Sequence, residues 1–233
     1  QPSAGTRPTR PSGAGATMRP LFPRWSDSAL AAALILGGSA VLGAPIALMI
    51  LVRTPWVTET REPPGQPVQF DHRHHVLDAG IDCLYCHWMA DDGPVAGVPP
   101  TELCMGCHGQ IWNDSPLLAP VRESFFSGDP IPWQRVHALP DFVYFHHGAH
   151  VRRGVGCSSC HGHVERMARV HAVATLQMGW CLDCHRAPEM HLRPPEEVTA
   201  IDWTPPPDQA ARGAALREAL GIDPPTHCSA CHR

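Results

Sequence analysis

One long apolar run near the start of the chain gives the clearest hydrophobic pattern. Ala29 to Val52 is a stretch of 24 residues without a charged side chain. As an α-helix it would measure about 36 Å, which is enough to cross a bilayer. A cleaved signal peptide is the alternative, with Gly43 and Ala44 as a weak cleavage site, but Ile46 to Val52 would remain apolar after that cut. The pattern therefore predicts a transmembrane helix over residues 29–52.

The residues before this run carry positive charge. Four arginines precede the first acidic residue, Asp27: Arg7, Arg10, Arg19 and Arg24. Because the cytoplasmic flanks of membrane helices are enriched in Arg and Lys, this bias predicts a cytoplasmic tail over residues 1–28 and an extracytoplasmic remainder. The tail is rich in Pro, Gly, Ser and Thr, a composition that buries too little surface to fold by itself.

Beyond the helix, the sequence lacks the composition of an ordinary apolar core. Aromatic residues make up 6% of the 233 residues, which also include 26 prolines and 20 glycines. The proline-rich residues 53–69 are predicted to be an extended linker. One short helix is expected late in the chain, capped by Asp208, running through Leu216 and ending at Gly221.

The cysteines introduce specific chemistry. All ten fall in five copies of C-x-x-C-H, called tags below. Thiols at i and i+3 form thioethers to the two vinyl groups of one porphyrin, and the adjacent histidine is then the proximal iron ligand. Zinc ribbons use two C-x-x-C pairs per ion, and five pairs do not divide that way. Disulfides and thioredoxin-like pairs do not require a histidine after the second cysteine.

The tags therefore predict five covalently bound haem c groups. The predicted attachment residues are Cys83, Cys86, Cys104, Cys107, Cys157, Cys160, Cys181, Cys184, Cys228 and Cys231. The predicted proximal ligands are His87, His108, His161, His185 and His232. Covalent haem attachment takes place on the extracytoplasmic side in bacteria, in agreement with the charge bias around the membrane helix.

Five porphyrins would supply most of the apolar core. The predicted fold class is thus a mainly irregular and α-helical multihaem cytochrome c, with short helices and loops around the haems and one N-terminal transmembrane helix. The net charge of −4, with 18 arginines and no lysine, gives no strongly basic surface that would favour nucleic acid.

An internal duplication organises the haem domain, residues 70–233. The first set of landmarks consists of Phe70, the box His72-x-x-His75 and the tags at Cys83 and Cys104. The second set repeats them as Phe145, the box His147-x-x-His150 and the tags at Cys157 and Cys181. The offset is 75 residues for the phenylalanine and the box, 74 for the first tag and 77 for the second. This repetition predicts two related two-haem units, 70–110 and 145–187, followed by a fifth haem at 228–232. Residues 110–140 are expected to be a loop-rich connector.

Each haem iron of an electron-transfer cytochrome takes a second axial ligand, called distal here. Of the 16 histidines, 5 are predicted to be proximal, so 11 remain as candidates. Two imidazoles at i and i+3 project near each other but do not serve one iron from the same face, so each box is predicted to ligate two haems. The predicted distal ligands are His72, His75, His147 and His150, although His74 and His146 could exchange with their neighbours. His137, Met178 and Met167 remain open candidates for the fifth haem.

The order of these motifs resembles a known family. The order along the chain is a transmembrane helix followed by FDHRHH, GIDCLYCH, PPTELCMGCHGQIW, RVHALPDFVYFHH, GVGCSSCHG, MGWCLDCHR and a terminal CSACHR. This order resembles that of the pentahaem cytochrome c subunit of bacterial alternative complex III, and the resemblance covers nearly everything after Leu30. The boxes are also similar to those of cytochromes of the c3 and c7 type. That second similarity implies that His75 and His150 serve the tag directly after each box.

The resemblance implies an electron wire in an inner-membrane complex. Polytopic subunits would oxidise quinol, and an iron-sulfur subunit related to molybdopterin oxidoreductases would pass electrons to the pentahaem subunit and a monohaem cytochrome c subunit. The acceptor would be a periplasmic cytochrome c, copper protein or oxidase.

Two other functions remain as alternatives. A stand-alone quinol dehydrogenase with one N-terminal helix would hold an open or weakly ligated haem near the membrane, and the roughly 30 residues between Val52 and Cys83 disfavour this placement. A multihaem nitrite-type reductase requires an open haem, whereas all five tags are regular and four predicted ligands come in matched boxes.

Overall fold

The computed structural model describes residues 21–233, which fall into two units divided after Val52. The first unit contains α1 (Ser26–Leu51), a helix of 26 residues. With a mean hydropathy of 2.2 it is long and apolar enough to cross a membrane, a test that a signal sequence also passes. Residues 1–20 of the predicted cytoplasmic tail lie outside the described residues.

The second unit, Arg53 to Arg233, consists of short helices joined by loops. Its α-helices are α2 (Pro55–Thr58), α3 (Cys83–Cys86), α4 (Thr101–His108), α5 (Ala119–Ser127), α6 (His147–Val151), α7 (Cys157–His161), α8 (Met178–Arg186), α9 (Gln209–Ala219) and α10 (Cys228–Cys231). A π-helical turn covers Arg73–Asp78, and 3-10 turns cover Pro116–Leu118, Val164–Arg166, Pro188–Met190 and Pro195–Glu197. Between residues 21 and 233, β-structure is limited to two isolated bridges, Val143 with His232 and Val155 with Leu192.

The apolar core made by side chains is small. One buried cluster consists of Val68, Val121 and Ile131, against which Cys104 and Trp133 pack. It lies where α5, within the predicted loop-rich connector, packs on α4. Apart from such clusters the unit is irregular, as the predicted fold class required.

The proline-rich segment after α1 lies against later parts of the second unit. Thr60 is buried, and the backbone N–H of Arg61 donates to the carbonyl oxygen of Ala172 at 2.8 Å. The Arg169 guanidinium donates to the carbonyl oxygens of Pro63 and Pro64 at 3.2 and 3.3 Å. Residues 60–64 of the predicted extended linker are thus attached to later parts of the second unit.

The late helix, α9, packs on the Pro188–Met190 turn. A Cβ at Gly213 would collide with the carbonyl group of Glu189. The side-chain amide of Gln209 donates to the carbonyl oxygens of Glu189 and Leu192 at 2.8 and 2.7 Å. Backbone and side-chain contacts therefore join this helix to the segment that follows α8.

The expected ends of α9 are confirmed in position but not in capping chemistry. Asp208 occupies the cap position without a side-chain capping hydrogen bond, because its carboxylate pairs with Arg212 at 3.0 Å. Gly221 follows the helix with φ +57°, a conformation that glycine adopts at low cost and that commonly ends a helix.

Candidate haem-binding sites

Each tag forms a helical turn, and the five candidate sites are numbered 1 to 5 in the order of the tags. Their cysteines lie on α3, α4, α7, α8 and α10. At i and i+3 of a helix, the two thiols of one tag project on the same side. The first tag begins with a capped turn, in which the Asp82 side chain accepts a hydrogen bond from the backbone N–H of Leu84 at 2.8 Å.

Three proximal histidines face a box histidine at the spacing that one metal ion requires. The ring centroids are 6.1 Å apart for His75 and His108, 6.3 Å for His147 and His161, and 6.1 Å for His150 and His185. A metal–nitrogen bond of about 2.1 Å, with about 1.1 Å from nitrogen to ring centre, places two axial imidazoles about 6.4 Å apart. The three pairs therefore fit an iron held between the rings.

Hydrogen bonds to the main chain orient six of the candidate ligand rings. The Nδ1 atoms contact main-chain carbonyl oxygens: His75 with Asp71 (3.0 Å), His87 with Gly97 (2.9 Å), His108 with Ile111 (3.0 Å), His147 with Pro94 (3.1 Å), His150 with His146 (2.9 Å) and His185 with Pro225 (2.7 Å). Because a carbonyl oxygen only accepts, Nδ1 must carry the proton. The lone pair is then on Nε2, the arrangement usual for metal-binding histidines.

The two boxes repeat each other in their contacts as well as in sequence. Phe70 meets the first ring of its box edge-on at 4.7 Å and stacks on the second at 4.2 Å. Phe145 has the same two arrangements in the second box, at 4.8 Å for both rings. Each second histidine donates from Nδ1 to the carbonyl oxygen four residues earlier. The duplication is therefore visible in the packing of the described residues.

The pairing of boxes with tags differs from the expectation. His75 faces the proximal histidine of site 2, and His150 faces that of site 4. The second histidine of each box thus skips the tag that directly follows it. The first histidine of the second box, His147, faces site 3. By the duplication, His72 fits the same role opposite His87 at site 1.

A comparison with known proteins identifies a relative of this chain. No family model matches the chain. The chain is 34% identical over 148 residues to the multihaem cytochrome c subunit of menaquinone reductase from Nitratidesulfovibrio vulgaris, an alignment that covers 54% of this chain and 70% of the relative. The chain belongs to this family of multihaem cytochromes c.

Burial keeps several candidate ligands of the cytochrome in their neutral form. Desolvation is the largest cause that lowers the pKa of His72 to about 4 and that of His161 to about 3. It also lowers the pKa values of His137 and His150. Neutral imidazole is the form that binds a metal, so these rings need not lose a proton near neutral pH.

Two of the three candidates for the second ligand of site 5 lie beside the third tag, and the remaining one lies on the helix of the fourth tag. The His137 ring meets that of His161 edge-on at 4.4 Å, and its buried Nε2 has no hydrogen-bond partner between residues 21 and 233. The Met167 methyl group reaches Gly162, next to the same proximal histidine. Met178 begins α8, the helix of the fourth tag, and is 64% exposed.

Site 5 itself is joined to the segment before the second box. The backbone N–H of Tyr144 donates to the carbonyl oxygen of Cys231 at 2.7 Å, and that of Arg233 donates to Phe142 at 3.1 Å. The His232 ring stacks on Phe142 at 5.9 Å between centroids. This proximal histidine is therefore placed by aromatic packing and a short backbone bridge.

The histidines that could exchange with box members have other contacts. His74 is exposed, and its Nδ1 lies 2.8 Å from a carboxylate oxygen of Asp78. The Nδ1 of His146 accepts from the backbone N–H of Ala149 at 3.2 Å, as the N-cap of α6. These roles disfavour both residues as axial ligands.

Sequence reasoning missed a buried arginine behind the third tag. Arg193 donates to the Ser158 hydroxyl at 2.9 Å and stacks over Trp203 at 4.1 Å. A Cβ at Gly154 or Gly156 would collide with Arg193, so the two glycines admit it. Glycines just before a tag are the signal that could have indicated such a close approach.

Proposed function

We propose that this cytochrome carries electrons through five haem c groups as a membrane-anchored subunit of a quinone-linked complex. The three imidazole pairs at 6.1–6.3 Å carry the proposal. A haem held by two imidazoles supplies one-electron redox chemistry at an iron with no coordination position for a substrate. Such ligation favours an electron carrier over a catalyst.

The residue assignments follow the tags and the pairs. Two cysteines of each tag would form the thioethers, and the tag histidine would bind from the proximal side. We assign the distal ligands as His72 for site 1, His75 for site 2, His147 for site 3 and His150 for site 4. The protein's part is to fix each Nε2 toward the iron, which the main-chain carbonyl acceptors of the Nδ1 atoms support.

For site 5 we favour Met178 among the three candidates. Cys181 lies one turn after Met178 on the same face of α8, and His185 of the same tag donates to the Pro225 carbonyl oxygen, three residues before the fifth tag. Both His137 and Met167 lie beside the third tag instead. A methionine ligand would give this haem a higher potential than its bis-histidine neighbours.

We infer further that the complex is of the alternative complex III type, with polytopic quinol-oxidising subunits, an iron-sulfur subunit and a monohaem cytochrome c as neighbours. A periplasmic cytochrome c, copper protein or oxidase would be the acceptor. Helix α1 would anchor the subunit, with its arginine-rich flank in the cytoplasm and the haem domain in the periplasm. The motif order and the membrane-type helix support this proposal.

The relative's name supports a second direction of electron flow. It describes a menaquinone reductase, in which electrons would move toward the quinone. The bis-histidine sites fit either direction, because a chain of such haems transfers electrons both ways. The partner subunits would set the direction.

Purification of the native protein in a mild detergent, followed by mass spectrometry of the co-migrating chains, tests the proposal. We expect a polytopic quinone-binding subunit and an iron-sulfur partner. Reduction of the haems by added quinol would establish the oxidase direction, and quinone reduction by the pre-reduced complex would establish the reverse. A lone haemoprotein that oxidises quinol would overturn the proposal in favour of the stand-alone dehydrogenase.

The ligand assignment has its own test. His150→Ala should turn one of the five haems high-spin, because it removes the ring opposite His185. The exposed His191 is the matched control, and His191→Ala should leave the optical and EPR spectra unchanged. A fully low-spin spectrum in His150→Ala would contradict the assignment.

A further inference from the structure

The five sites adjoin one another in an order that differs from their order along the chain. We infer that they form one unbranched row in the order 2, 1, 3, 4, 5. Sites 2 and 5 are then the ends at which redox partners exchange electrons with the cytochrome. The inference rests on one part of the proposed function, namely that the five sites bind haem. It does not depend on the quinone or on any particular partner.

Within each unit, one phenylalanine joins two neighbouring sites. Phe70 contacts both rings of the first box, which belong to sites 1 and 2. Phe145 does the same for sites 3 and 4.

Between the units, sites 1 and 3 are the ones that meet. The turn after the third tag, Val164–Arg166, packs on Arg73–Asp78 at the first box. One loop also orients a ligand at each site: the Gly97 carbonyl accepts from His87 at 2.9 Å, and the Pro94 carbonyl accepts from His147 at 3.1 Å. Residues 93–97 therefore hold the proximal ligand of site 1 and the distal ligand of site 3 together.

The junction between these two sites is a close backbone contact. The N–H of Gly148 donates to the carbonyl oxygen of Gly93 at 3.0 Å. A Cβ on Gly148 would lie 2.8 and 2.9 Å from the carbonyl oxygens of Asp91 and Asp92. Arg152, at the end of the same helix, pairs with the Asp92 carboxylate. The second box is thus fixed directly to the loop that follows the first tag.

Site 5 joins the row at site 4. The Nδ1 of His185 donates to the carbonyl oxygen of Pro225 at 2.7 Å, three residues before the fifth tag begins. An electron that starts at site 2 must then pass sites 1, 3 and 4 to reach site 5.

The matched variants His72→Gly and His75→Gly distinguish this row from one in chain order. Each removes one distal ligand and should leave one high-spin iron, whose fast relaxation perturbs the EPR signals of adjacent low-spin haems. In the inferred row, site 1 has two neighbours and site 2 has one. We expect two perturbed signals in His72→Gly and one in His75→Gly, measured on the purified holoprotein after mass spectrometry has confirmed five haems. The reverse result would overturn the row.

Two further measurements serve as controls for this test. His150→Gly alters site 4, which has two neighbours in either order, so it calibrates the size of the perturbation. If a variant loses haem, an experimental structure of the unaltered holoprotein measures the iron–iron spacings directly. The shortest spacing between the units should join sites 1 and 3, and a shortest spacing between sites 2 and 3 would refute the inference. A row confirmed in a protein that meets no quinone subunit would keep this inference and reject the proposed function.

Discussion

Replacing the buried Arg193 should destabilise the haem domain more than replacing any arginine on its surface. Only 2% of the surface of Arg193 is accessible to solvent. It donates to the Ser158 hydroxyl at 2.9 Å and to the carbonyl oxygens of Glu197 and Ala200, each at 3.3 Å. Its guanidinium also stacks over Trp203. Arg193→Ala removes all of these contacts and leaves the Ser158 hydroxyl and the Ala200 carbonyl without this donor, whereas the Glu197 carbonyl keeps the N–H of Ala200 at 3.1 Å.

The expected cost follows from the contacts. The shorter hydrogen bond from a charged donor contributes about 2 kcal/mol, and each longer one about 1 kcal/mol. Stacking over the indole adds about 1 kcal/mol. Burial lowers the pKa of Arg193, and relief of this desolvation offsets about 2 kcal/mol. The net loss should be about 3 kcal/mol.

Arg212 provides a matched control on the surface. Its side chain is 67% exposed and pairs with Asp208 at i and i+4 of α9. Such pairs contribute about 0.5 kcal/mol or less. Guanidinium unfolding of the oxidised holoprotein, followed by the recovery of tryptophan fluorescence as the haems move away, would compare Arg193→Ala with Arg212→Ala.

The comparison separates hydrogen bonding from packing if Arg193→Met is included. Methionine keeps much of the side-chain volume but donates to none of the three acceptors, so it should lose most of the same stability. Arg193→Ala and Arg212→Ala costing equal free energies of unfolding would refute the reasoning. A nearly stable Arg193→Met would show that packing alone makes the contribution.

Two further predictions concern α8 and α9. If Met178 ligates site 5, Met178→Leu should abolish the sulfur-to-iron charge-transfer band and lower the potential of one haem in a redox titration. Met167→Leu should change neither the band nor the potential. A band that survives in Met178→Leu excludes Met178 as the ligand. Gly213→Ala should cost about 1–3 kcal/mol of unfolding free energy, because overpacking against the Glu189 carbonyl outweighs the roughly 1 kcal/mol gained in helix propensity. A stabilised variant would contradict the close contact.

The parts predicted from sequence are those that local spacing determines. A C-x-x-C-H turn, a long apolar run and a repeated box have fixed periods, so α1, the tag helices and the duplication could be located from residue order. The small side-chain core was expected for the same reason, since the composition offered few residues to build one. Membership of a multihaem cytochrome c family agrees with these expectations.

The pairing of boxes with tags depends on features without a sequence pattern. Backbone carbonyls orient most of the candidate ligands, and a carbonyl group is present at every residue. Nothing in the sequence therefore marks Pro94 as the acceptor for His147 or Pro225 as the acceptor for His185. The rule taken from other cytochromes could not supply this information, because it assumed that each second box histidine serves the nearest tag.

The contact between sites 1 and 3 joins equivalent positions of the duplicated units. The loop after the first tag holds the second box, where the N–H of Gly148 donates to the Gly93 carbonyl oxygen, and the turn after the third tag, Val164–Arg166, packs on Arg73–Asp78 at the first box. Reciprocal contacts of this kind are what a twofold axis between two like modules produces. In the inferred row, the second site of each unit lies away from this junction. It follows that duplication lengthens the row without branching it, and that the fifth tag extends only the end at site 4.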